Sequence, residues 1–168
     1  MPFGLDNEKR YKKQVKARYL FDHILNCQLS SGMPYVSFKD HANNKSNQQN
    51  LGTIKSSNLC NEIVEYSDSK EYAVCNLASI AINRCYDVNT NSYNYDLLHT
   101  VAKQATYNLN KIIDINYYPV PETKYSNFKN RPIGVGIQGF SDLLFIMHLP
   151  FESEEALQLS ENILETIY

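Results

Sequence analysis

From Lys39 to Asn58 the chain runs for about twenty residues rich in Asn, Gln and Ser, with almost no apolar periodicity. A polar stretch of that length inside a compact domain is unusual. It is either a functional loop or a linker between domains. Its flanks are apolar and carry cysteine, which favours a functional loop held inside one fold. The remaining composition suits such a fold. Of 168 residues, 43% are apolar and 20% charged, and 16 basic side chains against 18 acidic ones give a net charge of −2. That balance is globular and argues against non-specific nucleic-acid binding, which needs a basic surface. No apolar run reaches the length of a membrane span. Met1-Pro2-Phe3-Gly4 opens no signal peptide, because no apolar core follows it.

The periodic segments frame the polar loop. A basic run (Lys9, Arg10, Lys12, Lys13, Lys16, Arg18) reads as the solvated start of a helix that continues through Ala17, Leu20, Phe21, Ile24 and Leu25. Ser30-Ser31-Gly32 ends it. Met33 to Phe38 reads as a short buried strand. The stretch from Glu71 to Asn83 is apolar with small residues, and period alone leaves strand and helix open. Asp96 to Ile115 predicts a helix with Leu97, Val101, Ala105, Leu109 and Ile112 on one stripe, broken by Pro119 and Pro121. Arg131 to Gln138 is a candidate strand and Phe140 to His148 a helix. Ser153 is placed to cap a last helix with Glu154 and Glu155 in its first turn. That helix reaches Tyr168 without a capping signal, so a truncated polypeptide is expected.

The four cysteines, Cys27, Cys60, Cys75 and Cys85, are too few and scattered for a secreted disulfide framework. The spacings do not support a structural zinc site. A reducing compartment is expected, in which the sequon Asn44-Lys45-Ser46 goes unused. The sharpest chemical cluster is Asn58-Leu59-Cys60-Asn61-Glu62. In an extended segment Asn58, Cys60 and Glu62 point the same way. A thiol between an amide and a carboxylate is kept protonated. That suits loss of a hydrogen atom better than nucleophilic attack, which wants a cationic neighbour. Glu62 can then act as general base toward a substrate hydroxyl that Asn58 holds. A core cysteine beside ordinary loop polars stays open on spacing alone. So does a cysteine hydrolase, if one of His23, His41, His99 or His148 reaches Cys60. Cys75, Cys27 and Cys85 read as small buried hydrophobes. Gly134-Val135-Gly136-Ile137-Gln138-Gly139 matches a dinucleotide fingerprint but lacks its strand-and-acid context, so tight strand-to-helix packing is the better reading. Tyr117-Tyr118 reads as turn packing before Pro119.

Several of these stretches resemble one family. Lys45 to Lys55 (KSNQQNLGTIK), running into Ser57 to Tyr66 (SNLCNEIVEY), resembles the active-site finger loop of the large subunit of class I ribonucleotide reductase. Ala73 to Ser79 (AVCNLAS), Asn108 to Pro121 (NLNKIIDINYYPVP) and Arg131 to Gly134 are also similar to that subunit. The resemblance runs from about Lys9 to Tyr168, with eukaryotic-type sequences most alike.

The resemblance implies an α/β fold, part of a ten-stranded α/β barrel with the finger loop inside. Residues 1–32 would be a helix, 33–66 the last strand of the first half-barrel and the finger loop, and 67–168 the start of the second half. It implies that Cys60 becomes a thiyl radical that abstracts the ribose 3′ hydrogen, that Glu62 takes the 3′-hydroxyl proton, and that Asn58 holds the ribose hydroxyls. Cys75 would be one of two thiols that reduce the sugar and end as a disulfide. The implied substrate is a ribonucleoside diphosphate. The implied partners are a radical-generating small subunit with a metal centre, a second large subunit, and thioredoxin or glutaredoxin. No cofactor or metal is expected on this segment, and the expected location is cytoplasmic, without nucleic acid or membrane. The family's partner for Cys75, its nucleotide-regulatory region, its phosphate-gripping loop, its radical-relay tyrosine pair and its tail cysteines match nothing in this sequence. The chain is therefore expected to be a large-subunit fragment, inactive and poorly stable alone. A non-catalytic remnant, or a module that docks on a complete large subunit, is the alternative.

Overall fold

A computed structural model describes residues 13–168. Lys9, Arg10 and Lys12 lie outside the described residues. The chain divides into two compact units, one ending at Val64 and the other running from Glu65 to Tyr168.

In the first unit, α1 spans Ala17–Ser31. Residues 13–16 are not helical, so Lys13 and Lys16 precede the helix, while Arg18 lies in its first turn. Gly32 ends α1 at φ +73°, with its N–H donating to Gln28 O at 2.9 Å, the left-handed stop that glycine takes at low cost. The expected strand over Met33–Phe38 is absent. That segment is irregular, with a cis Met33–Pro34 bond. It is tied back to α1 by Gln28, whose Nε2 donates to Pro34 O at 2.8 Å. Proline at its second position removes a ladder donor, which works against strand pairing.

The polar stretch is also more ordered than its composition suggests. It opens with a helix, α2, at Lys39–Lys45. Asn43 on α2 then takes the place of a strand neighbour for Ile54. Its Nδ2 donates to Ile54 O at 2.9 Å, and its Oδ1 accepts from Ile54 N at 2.7 Å. Ile54 is the buried apolar residue among the described residues of this unit, 3% exposed. One amide thus pins a residue eleven positions further along the chain onto a short helix.

In the second unit the ambiguous apolar run resolves to a strand, β1, at Asn76–Ala81. A 3-10 turn over Ile82–Cys85 leads to a small antiparallel pair, β2 (Tyr86–Asp87) and β3 (Ser92–Tyr93). The long helix α3 covers Tyr95–Ile115, capped by Asn94 Oδ1 accepting from Leu97 N at 2.8 Å. Pro121 then opens α4 (Pro121–Asn130) at its first turn, where a missing N–H costs nothing. The prolines therefore start a helix as well as ending one. β4 (Ile133–Gln138), α5 (Phe140–Ile146) and α6 (Glu154–Ile167) follow. Ser153 caps α6 as its sequence predicts, accepting from Ala156 N at 3.1 Å.

β1 and β4 are parallel neighbours, with Leu77 opposite Gly134 and Ser79 opposite Gly136. Parallel strands need a long crossover, here supplied by α3 and α4. One face of this sheet is covered: Ile80 joins Ile82, Leu98, Ala102, Leu143, Leu144 and Ile163 in the core. The other face is open, with Leu77 55% exposed and Ser79 exposed. The buried stripe of α3 is Leu98, Ala102, Leu109 and Ile113, rotated by one position from the stripe read in the sequence except at Leu109. Its apolar arc is wide. The edge that meets β1, β4 and α6 is buried, while Leu97, Val101 and Ile112 stay partly open.

Candidate active site

The sequence cluster 58–62 sits on a tight turn, not on an extended strand. Leu59 and Cys60 form the turn and Asn61 follows at φ +66°. Asn58 closes it: its Oδ1 accepts from Ile63 N at 3.0 Å, its N–H donates to Ile63 O at 3.4 Å, and its O accepts from Asn61 N at 3.2 Å. The strict alternation assumed for an extended segment is lost, because a left-handed residue reverses the chain between Cys60 and Glu62. Asn is among the few residues that visit this region readily.

Asn61 also anchors the turn. Its Oδ1 accepts from Ser37 Oγ at 2.5 Å and from Ser57 Oγ at 2.6 Å. With Val36, Phe38, Asn43 and Ile54 it lines a cavity of about 250 Å³. Asn58, Cys60 and Glu62 are all exposed at this turn. Asn58 has spent its carbonyl on Ile63, so the donors of its Nδ2 are what it can offer a ligand. The turn therefore presents a thiol, a carboxylate and an amide donor within five residues. That set can give up a hydrogen atom, take a proton and hold a hydroxyl.

Cys75 belongs to the second unit. It lies one residue before β1, half-buried, with Sγ 3.8 Å from Asn76 O. By strand alternation it shares the open face of the sheet with Leu77 and Ser79. Gly134 keeps that face clear, since a Cβ there would stand 2.6 Å from Leu77 Cδ2 and 3.8 Å from Cys75 Sγ. Glu65 is the charged group that acts on the thiol. Burial, and then the Glu65 charge and hydrogen bond, push the Cys75 thiol up to about 12. Burial raises Glu65 above the ordinary carboxylate range, and the bond to Cys75 partly offsets that rise. The reading of Cys75 as a plain buried hydrophobe is thus incomplete. All four cysteines are free thiols. Among the described residues no group of three or more His, Cys, Asp or Glu side chains could hold a metal ion. No described helix is long and apolar enough to cross a membrane.

The rest of the resembling stretches build the frame behind Cys75. The Arg131 guanidinium donates to Asn110 Oδ1 at 2.8 Å, Asn110 O at 2.7 Å and Asp114 Oδ1 at 2.9 Å, joining the end of α3 to the entry of β4. Tyr118 Oη donates to Ile113 O at 2.7 Å and accepts from Asn127 Nδ2 at 2.7 Å. Tyr118 therefore packs the α3–α4 corner, as its place before Pro119 predicts, whereas Tyr117 is 83% exposed.

The family model for the ribonucleotide reductase barrel domain matches residues 4–168. The chain belongs to that family. Over 161 residues, 96% of this chain, it is 56% identical to the ribonucleoside-diphosphate reductase large subunit of Caenorhabditis elegans, and covers 20% of that protein. It is 56% identical over 160 residues to large chain 2 of the Saccharomyces cerevisiae enzyme, covering 93% of this chain and 18% of that one. It is 52% identical over 163 residues to the variola virus large subunit, covering 97% and 21%. The chain thus spans about a fifth of the length of these relatives. The Actinobacillus ureae class Id ribonucleotide reductase alpha subunit shares the fold, with a TM-score of 0.70 over 89% of this chain and 29% of that one at 24% identity. The barrel-domain assignment holds, although the described residues form no closed barrel; β1 and β4 form a two-stranded parallel sheet.

Within this family frame, two residues escaped the sequence reading. Glu65 carries a signal in retrospect: it is the one acid in the apolar run Ile63-Val64-Glu65-Tyr66. Asn61 stands inside the chemical cluster, but its part is the left-handed turn.

Proposed function

We propose that this chain is the segment of a ribonucleoside-diphosphate reductase large subunit that carries the radical thiol and one reducing thiol. The observation that carries this reading is the Asn58–Ile63 turn, which brings a thiol, a carboxylate and an amide donor to one exposed tip. In this reading Cys60, as a thiyl radical, takes the hydrogen atom from the ribose 3′ carbon, and gives it back to that carbon, as the thiyl radical again, once the 2′-hydroxyl has left as water and the sugar has been reduced. Glu62 accepts the proton of the 3′ hydroxyl. Asn58 Nδ2 donates to the ribose hydroxyls. Cys75 and a second thiol give up two electrons and two protons to the sugar and end as a disulfide. The small subunit supplies the oxidising equivalent that removes the hydrogen atom from Cys60. The segment itself holds no cofactor. A thioredoxin-type or glutaredoxin-type dithiol restores Cys75, which fits the reducing environment of the cytoplasm. The large subunit works as a homodimer.

The test is a chimaera in which these 168 residues replace their counterpart in the nematode large subunit, paired with its small subunit. The expected result is deoxyribonucleoside diphosphate formation by the chimaera and none by its Cys60→Ser form. Full activity in Cys60→Ser refutes the assignment, and an inactive parent chimaera favours a non-catalytic remnant.

A further inference from the structure

Cys60 and Glu62 are separated by a single residue, so the backbone of Asn61 sets where the thiol stands against the carboxylate. Asn61 holds φ +66°, a region that an L-residue leaves readily for the extended one unless something retains it. Its own N–H donates to Asn58 O at 3.2 Å. Its side chain is held from two further places. Ser57 Oγ donates to Asn61 Oδ1 at 2.6 Å, and Ser37 Oγ donates to the same oxygen at 2.5 Å. An amide oxygen has two lone pairs, and these two hydroxyls fill both. Ser57 belongs to the turn's own approach, whereas Ser37 comes from 24 residues upstream. Ser37 also stands on a fixed base. Pro34 O accepts from Gln28 of α1 at 2.8 Å. Phe38, next to Ser37, precedes α2, and its O accepts from Ala42 N at 2.9 Å. The irregular segment between the two helices thus delivers a hydroxyl to the residue between the two reactive groups.

We propose that Ser37 is a positioning residue for Cys60 and Glu62, acting through Asn61 and touching neither substrate nor the reacting atoms. The proposal rests on the reading of Cys60 and Glu62 as the pair that works on one sugar. In that reading both groups serve the same carbon: the sulfur meets its hydrogen, and the carboxylate meets the proton of its hydroxyl. Their mutual placement is therefore what has to be fixed, and a misplacement of about 1 Å can cost about a hundredfold in rate. The hydrogen bonds inside the turn fix its shape. The bond from Ser37 fixes its tip against α1 and α2. A serine that only stabilised the loop would change how much protein folds and leave the geometry of the folded fraction as it was.

The test uses the chimaera and, beside it, the full 168-residue chain. In the chimaera Ser37→Ala is expected to lower kcat about tenfold, a part of the full cost of misplacement, with KM nearly unchanged. The isotope effect on kcat for a substrate deuterated at the 3′ carbon is expected to rise, because hydrogen abstraction by a misplaced sulfur slows relative to the other steps. That ratio does not depend on how much enzyme is folded. Ser37→Thr keeps the hydroxyl and is expected to restore both quantities. Asn61→Gly keeps the positive φ and removes the acceptor. It should cost at least as much as Ser37→Ala, and Ser37→Ala added to it should change nothing further. In the chain itself, amide exchange followed by NMR is expected to quicken severalfold at Ile63 N–H in Ser37→Ala, at an unchanged rate for Ile54 N–H, which Asn43 holds. Unchanged kcat and isotope effect in Ser37→Ala, or a second full loss on top of Asn61→Gly, overturns the proposal while the parent chimaera stays active. Failure of the underlying reading shows differently: the parent chimaera is inactive, or its Cys60→Ser form keeps full activity, and the exchange difference at Ile63 persists.

Discussion

Gly139 is the position at which the glycine motif of β4 and α5 can be taken apart. It precedes Phe140 at φ +80°, and a Cβ there would stand 2.7 Å from Asn83 Oδ1 and 2.8 Å from Asn83 Cγ. Gly139→Ala therefore meets two costs. Holding alanine in the left-handed region costs about 1–2 kcal/mol, and crowding a packed contact costs roughly 1–3 kcal/mol more. The expected loss is roughly 2–5 kcal/mol. Removing the side chain that is struck, in Asn83→Ala, relieves the crowding but not the backbone cost. The double mutant should thus recover about 1–3 kcal/mol as a coupling. Gly136→Ala is the contrast: its Cβ meets nothing closer than Ala78 O at 3.8 Å, and alanine is expected to be neutral or better in that strand. The assay is urea unfolding followed by circular dichroism, where slopes of about 1–3 kcal/mol per molar put the Gly139→Ala midpoint about 1–2 M lower. A dinucleotide loop would reverse the ranking, because there the second glycine lets the backbone approach a pyrophosphate. If Gly136→Ala is the damaging change and Gly139→Ala is tolerated, or if Asn83→Ala leaves the Gly139→Ala cost untouched, strand-to-helix packing is the wrong account of this motif.

Two further outcomes follow from single contacts. Ser153→Ala removes the cap of α6 and should cost about 1 kcal/mol in the same unfolding assay, with Ser153→Asp close to wild type. Cys75 binds its proton more tightly when folded, up to about 12 against its ordinary 9.0. The unfolded chain loses that proton first on raising the pH, so this group's contribution is intact below pH 9 and falls as the pH climbs from 9 toward 12. Unfolding midpoints measured over that range should decline less steeply in Cys75→Ala than in wild type.

The sequence is legible where local chemistry decides. Gly32, Ser153 and the Arg131–Gln138 run act as read, since a left-handed stop, a hydroxyl cap and a β-rich run need few distant partners. The rotated stripe of α3 was not legible in the same way. Leu97 and Leu98 are equally apolar, and only the positions of β1 and α6 select which is buried. Likewise Pro121 reads as a breaker in isolation, and becomes a helix start because Thr123, Ser126 and Asn127 of α4 have somewhere to be buried. In the first unit, Met33–Phe38 has the composition of a strand but no strand beside it among the described residues. Strand propensity expresses a fit to a sheet surface, so it does not act without a neighbour.

The candidate site shows the same division. The residue types at 58, 60 and 62 announce the chemistry, while the spacing suggests the wrong carrier for it. A strand would commit the backbone of Asn58 and Glu62 to neighbours and bring side chains from adjacent strands against Cys60. The turn spends one side-chain oxygen, Asn58 Oδ1, to satisfy Ile63 N, and leaves the thiol and carboxylate at the tip. What fixes that tip is Asn61, which combines tolerance of positive φ with an acceptor for Ser37 and Ser57. Glycine could supply the first property and not the second; serine could supply an acceptor but not the backbone at low cost. The residue between the two reactive groups is therefore constrained by the turn.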